Sequence, residues 1–228
     1  MTIFDPHRMQ PVVYEGPVLD DAFGAFILVH GRGGSAEDIL GLGRSLGNRH
    51  TTLIAPESAS HSWYPNSFLA PLADNEPWLS SALAKIGSCV NECIAAGLTT
   101  ENIVFAGFSQ GACLATEFVA RNPARYGALL AFTGGLIGPI GMDMRHSGDL
   151  LKTPILLSSG DPDPHVPWQR VEETGRVLSD MGGVVSKLRH QRRPHTILPS
   201  EVETARSILA ENLFAISSPT TSGQASLL

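Results

Sequence analysis

The stretch Ile103-Val104-Phe105-Ala106-Gly107-Phe108-Ser109-Gln110-Gly111-Ala112 decides the fold. Its first four residues are apolar and β-favouring, and from Ala112 to Arg121 the chain reads as a helix. A strand that turns at once into a helix around Gly-x-Ser-x-Gly is the setting of a nucleophile elbow. Such a turn strains its central residue and leaves no room for side chains two positions before and after it. Gly107 and Gly111 meet that need. The turn would lift the Ser109 hydroxyl clear of the sheet, with a helix N-terminus behind it offering N–H groups and positive partial charge to an anion. Five residues alone could equally form a plain loop turn. The flanking strand and helix favour Ser109 as a nucleophile.

The chain on either side repeats the strand-then-helix order. Upstream, Val12-Val13-Tyr14 reads as an edge strand and Phe26-Ile27-Leu28-Val29 as a strand covered on both faces. His30-Gly31-Arg32-Gly33-Gly34 follows, and Ser35 caps a helix to about residue 46, with Asp38 in the capping-box position. Thr52-Leu53-Ile54-Ala55 is a short strand. Residues 57–77 keep no period, and Asn75-Glu76-Pro77 starts a long helix to about Ala96. Downstream come strands at Leu129-Leu130-Ala131-Phe132, at residues 154–159 and at residues 184–188. Helices are predicted over residues 167–181 and 199–214. This rhythm predicts an α/β fold, a mostly parallel central sheet with helices on both faces. It places one domain over residues 1–216, and the small, polar stretch 217–228 reads as a flexible tail.

Composition excludes several roles. The 228 residues are 43% hydrophobic and 17% charged with a formal net charge of −6, which argues against nucleic acid or an anionic membrane as partner. No basic stripe, signal peptide or membrane-length apolar run is visible, so a cytoplasmic location is expected. Cys89, Cys93 and Cys113 form no disulfide or metal framework and read as buried, reduced thiols. No metal or organic cofactor is implied.

A serine nucleophile needs a base and a group to orient that base. With this fold they follow in the order Ser, Asp or Glu, His, in loops at the carboxyl ends of strands. Asp161 and Asp163 both fall in the loop after the strand at residues 154–159, and His195 follows the last strand. Order alone does not choose between the aspartates. His165 is too close to Asp163 in the chain to meet the nucleophile as well. His30 is expected to orient the glycine-rich loop, and His7, His50, His61, His146 and His190 to be surface or structural residues. Of the two oxyanion donors such chemistry needs, one is the backbone N–H of Gln110 and the other should come from the loop after Val29. That loop lacks the Gly-Lys-Ser/Thr of a P-loop and the Gly-x-Gly-x-x-Gly of a dinucleotide site.

His30-Gly31-x-Gly33, Gly107-Phe108-Ser109-Gln110-Gly111, Gly160-x-x-Asp163-Pro164-x-Val166-Pro167 and His195-Thr196-Ile197 together resemble the phospholipase/carboxylesterase family of α/β-hydrolases, which includes the acyl-protein thioesterases. The resemblance implies that Asp163 is the acid, with Asp161 a turn former, and that Arg32 supplies the second oxyanion N–H. It also implies that the stretch around Trp63 and Tyr64 lines an acyl pocket, to which Phe68 would add a wall. Two positions depart from the family: Arg32 stands where many members carry an apolar residue, and Pro194 where many carry glycine. Arg32, Arg192 and Arg193 could make the mouth of the site cationic, although solvated surface arginines are the plainer reading.

The expectation is a serine hydrolase of small-molecule carboxylic esters with short to medium acyl chains, with no large lid. The same groups would suit a thioesterase acting on acylated proteins or a lactone hydrolase. From another class, the fold also hosts ligand receptors with little turnover.

Overall fold

In the computed structural model, residues 4–214 are described, so the expected tail at residues 217–228 lies outside them. Seven strands form one sheet in the order β1-β3-β2-β4-β5-β6-β7. They are β1 (Val12–Glu15), β2 (Gly24–Val29), β3 (Thr51–Pro56), β4 (Ile103–Phe108), β5 (Ala128–Phe132), β6 (Pro154–Asp161) and β7 (Val184–Gln191). Only β1 runs antiparallel, pairing Val12 with Pro56 at one edge. The elbow strand β4 lies at the centre.

Five α-helices cover the sheet: α1 (Ala36–Leu46), α2 (Trp78–Ala95), α3 (Gln110–Arg121), α4 (Trp168–Asp180) and α5 (Pro199–Leu209). Alternate strand residues enter opposite layers. Ala25, Ile27 and Val29 pack with α2, α3 and α4, while Phe26 and Leu28 pack with α1 and α5. Strands covered on both faces need apolar residues at every position, which is why these segments show no alternation. Cys89 and Cys93 lie in the first layer, as their spacing on one helix face requires. All three cysteines are free and buried.

The local signals hold in detail at α1. Ser35 Oγ accepts from the Asp38 N–H and the Asp38 carboxylate accepts from the Ser35 N–H, a reciprocal capping box. Other boundaries move. The helix expected from Asn75 starts at Trp78, because the buried Asn75 amide is spent on the preceding loop: it accepts from the Asn66 N–H and donates to the Ser67 carbonyl. The helix expected to reach residue 214 ends at Leu209 and continues as a wider π turn over Ala210–Phe214. Strand β6 runs past residue 159 to Asp161, which pairs with Gln191 and forms an ion pair with Arg189 of β7. Asp161 is therefore a strand-end residue rather than a loop former.

Candidate active site

The elbow is as tight as its glycines suggested. A Cβ on Gly107 would lie 2.6 Å from the Gly111 carbonyl, and one on Gly111 would lie 2.0 Å from the Val29 oxygen. Any side chain would force the strand and helix apart. Ser109 is held at φ 54° and ψ −118°, a backbone that non-glycine residues seldom adopt, and its N–H is tied to the Phe132 carbonyl. The Ser109 hydroxyl is thus fixed at the carboxyl end of the central strand.

Asp163 and His195 arrive from the loops after β6 and β7, the second and third strands to one side of β4. His195 Nε2 is 2.9 Å from Ser109 Oγ, and its Nδ1 is 2.9 Å from Asp163 Oδ2. A carboxylate accepts only, so Nδ1 carries the proton and Nε2 is the acceptor for the serine hydroxyl. The Asp163 side chain is fully buried. Burial alone would raise its pKa. The hydrogen bonds from His195 and from the N–H groups of His165 and Val166 outweigh that and hold it below the ordinary carboxylate value. Asp163 therefore stays ionised where an imidazolium would need it. His165 also sets its ring edge-on to His195, with centroids 4.9 Å apart, a neighbour that sequence reading had placed only in the acid loop.

The loop after β2 leans on the elbow: a Cβ on Gly31 would meet Ser109 Cβ at 3.5 Å. Among the described residues, neither the Arg32 nor the Gln110 backbone N–H donates to a protein acceptor. His30 steadies this loop. It is buried, with Nδ1 on the Gly31 carbonyl and Nε2 facing the Ser58 N–H and Glu57. Desolvation lowers its pKa and keeps the ring neutral.

Arg32 does not sit free in solvent. Its guanidinium donates to Ser62 Oγ and to the carbonyls of Tyr64, Pro65 and Asn66 at 2.6–3.0 Å. Its charge is absorbed by loop carbonyls, and the planar fork suits it to that task. Arg193 is likewise no surface cation. It is 4% exposed, donates to Thr133 Oγ1 and lies 3.6 Å from the fully buried Glu201. Glu201 also accepts from Ser158 Oγ and the Leu198 N–H. Of the three arginines, Arg193 is buried, Arg32 is exposed but tied to the Tyr64 loop, and Arg192 is exposed without a described partner.

A cleft of ≈ 520 Å³ opens over Ser109, lined by Tyr64, Phe68, Gln110, Cys113, His165 and His195 among others. Trp63, expected beside Tyr64 in this wall, is not there. It is 0% exposed, donates through Nε1 to the His30 carbonyl and packs against His7 and His30. A large ring with one N–H to satisfy is better housed in that sealed position. The chain bends at Trp63 and Tyr64, and while Trp63 is sealed inside, Tyr64 borders the cleft although only 1% exposed. The loop that carries Phe68 meets a second loop, with the Gly138 N–H on the Phe68 carbonyl. The fully buried Arg170 secures the second loop by donating to the carbonyls of Leu136, Gly138 and Pro139. The Gln110 side chain, which accepts from the Trp63 N–H and donates to the Tyr64 carbonyl, and that of Arg170 left no signal in the sequence, since each depends on loops distant in the chain.

A mostly parallel sheet carrying a serine elbow on its central strand is the α/β-hydrolase fold, and solved hydrolases match it. The chain belongs to the phospholipase/carboxylesterase family, whose model matches residues 19–213. It is similar to a crystal structure of a phospholipase/carboxylesterase from Dyadobacter fermentans, at 44% identity and a TM-score of 0.85, covering 88% of this chain and 96% of that one. A probable SOBER1-like carboxylesterase of Arabidopsis thaliana is 28% identical over 212 residues, 85% of this chain and 80% of that protein. Acyl-protein thioesterase 1 of Saccharomyces cerevisiae is 29% identical over 143 residues, 61% of this chain. That match spans 62% of the yeast protein, less than two thirds of its length. Among the described residues, no helix is long and apolar enough to cross a membrane.

Proposed function

We propose that this protein hydrolyses carboxylic esters of short to medium acyl chain through an acyl-enzyme. The observation that carries the reading is the unbroken relay from Ser109 Oγ through His195 to Asp163, each link 2.9 Å. Ser109 attacks the acyl carbonyl as His195 Nε2 takes its proton, and Asp163 stabilises the imidazolium and fixes its tautomer. The Arg32 and Gln110 N–H groups hold the oxyanion. His195 then protonates the leaving group and later draws a proton from water to release the acid. The 520 Å³ cleft, walled by Tyr64 and Phe68, offers room for a modest acyl group.

The test is labelling with a fluorophosphonate, followed by turnover of a short p-nitrophenyl ester by the wild type and by Ser109→Ala. The wild type should be labelled at Ser109, and the variant should lose about 10⁴-fold or more in turnover while remaining folded. Substantial turnover by Ser109→Ala would end the proposal. The yeast relative favours a second reading, thioester cleavage on acylated proteins with the same groups. An ester and thioester panel compared at equal acyl group separates the two.

A further inference from the structure

A second cavity lies against the other side of His195. It measures ≈ 600 Å³ and runs between α1 and residues 196–202, the segment that leads into α5. Ile39 and Leu42 form one wall, Ile197 and Val202 the other, and Phe108 closes the inner end beside His195. Leu42, Phe108, Ile197 and Val202 are only half-buried and rest on the core layer beneath α1 and α5. The groove is therefore the uncovered end of an apolar layer. It shares Gly31, Arg32, Phe108 and His195 with the cleft over Ser109 but does not reach Ser109, Gln110 or Cys113. Its potential charges are engaged: Asp38 accepts from Ser35, the Arg32 guanidinium grips the Tyr64 loop, and His30 is buried.

Proton traffic assigns the two cavities, given the ester-hydrolase reading above. As Ser109 Oγ bonds to the carbonyl carbon, its proton moves to His195 Nε2. As the carbon–oxygen bond to the alcohol breaks, that proton passes to the departing oxygen. The alcohol leaves neutral, and water later supplies the hydroxyl of the acid and the proton of the restored serine. The departing oxygen must therefore lie against His195, while the acyl body lies over Gln110 and Cys113. A cavity that contains His195 but not Ser109 is on the leaving-group side. We infer that the groove between α1 and residues 196–202 is the leaving-group site, and that the natural ester carries a neutral, apolar alcohol body, alkyl or aryl, in it.

Acetates of straight-chain primary alcohols from ethanol to hexanol test this, because acyl group and leaving-group basicity stay nearly constant along the series. All of them form one acyl-enzyme, so kcat/KM reports the alcohol alone. It should rise by up to about fourfold per methylene until the groove is full, the equivalent of ~0.8 kcal/mol for each buried CH₂. Leu42→Gln and Val202→Gln, on opposite walls, should each flatten that rise. Thermal midpoints report whether each variant folds, and either one that folds decides. A flat series in the wild type overturns the inference at once, whatever the variants do. So does a rise that survives in a folded variant. Absence of hydrolysis of every acetate, with no fluorophosphonate label on Ser109, would remove the hydrolase reading itself and this inference with it.

Discussion

Arg32 and Gln110 donate to one acceptor: the Tyr64 carbonyl receives Arg32 Nη2 and Gln110 Nε2, each at 2.8 Å. Gln110 Oε1 also accepts from the Trp63 N–H at 2.9 Å. The two residues proposed for the oxyanion hole thus use their side chains to grip the segment that borders the cleft. A guanidinium binds the loop after β2 to the segment that borders the cleft. Arg32→Leu should therefore lower stability by about 1–3 kcal/mol and kcat/KM by roughly tenfold or more, because the backbone donor loses its support. Arg32→Lys should recover little of either, since a point charge cannot span four acceptors. Denaturation midpoints and steady-state kinetics on one ester check both expectations.

The two neighbouring aspartates should behave differently. Asp163→Asn puts an amide against His195 Nδ1 and favours the wrong tautomer, at a cost of about 10⁴ in kcat. Asp161→Asn breaks only its pairing with the half-exposed Arg189 and should change stability by less than about 1 kcal/mol, with turnover intact. Parallel kinetics on the two variants would expose a misassigned acid if Asp161→Asn proved the more damaging.

Acid should weaken the fold before it protonates Asp163. His7 and His30 are buried, and desolvation lowers both pKa values below the ordinary 6.5. The unfolded chain then binds more protons than the folded one between those lowered values and 6.5. The stability their neutrality provides is full above pH 6.5 and is lost as pH falls toward the lowered values, at up to ~1.4 kcal/mol per pH unit for each histidine. The contribution of Asp163 is lost only at lower pH, below the ordinary 3.8 and through its depressed value. Urea midpoints measured from pH 7.5 to 5.0 should fall, and a His7→Gln variant should show a shallower slope even if its midpoint is lower.

Native thiols should be inert. Burial pushes Cys89, Cys93 and Cys113 up to about 12, so thiolate is scarce at pH 8. Cys113 is the informative one, because it lines the cleft yet is 1% exposed. Reaction with iodoacetamide at pH 8 should be at least ~100-fold slower than in denaturant, and fast native modification of Cys113 would contradict its burial.

Acyl-chain dependence should peak. Each methylene placed against Tyr64 and Phe68 helps by up to ~0.8 kcal/mol until the ≈ 520 Å³ cleft is full. A p-nitrophenyl ester series should rise and then fall in kcat/KM. A continued rise to long chains, with a jump at the micelle threshold, would indicate a lipase instead.

Features carried by neighbouring residues were legible in the sequence, and those that join distant segments were not. The glycine spacing around Ser109, the Ser35–Asp38 cap and the continuous apolar strands follow from steric and hydrogen-bonding rules acting over a few residues. Chain order brought Asp161, Asp163 and His195 forward together, and only family resemblance selected Asp163. The inward turn of Trp63, the Arg32 clamp and the buried Arg193–Glu201 pair escaped, because each depends on which carbonyl or carboxylate the fold brings near. An arginine read in isolation is a surface residue. Here Arg193 is buried beside Glu201, and Arg32, although exposed, is tied to four loop acceptors.

The members of the relay are not equally well anchored. Ser109 follows β4, with two strands or more on either side, whereas His195 follows β7, the sheet edge, none of whose eight residues is fully buried. Beyond its pairing with β6, that edge is held near the site by the Arg193–Glu201 contact and the N–H of Arg192 on Asp161. Partial opening of an edge costs less free energy than global unfolding. Thermal loss of activity should then begin as a local event: the imidazole departs with the fraying edge, while the serine waits, still strained and still folded, in the middle of an intact sheet.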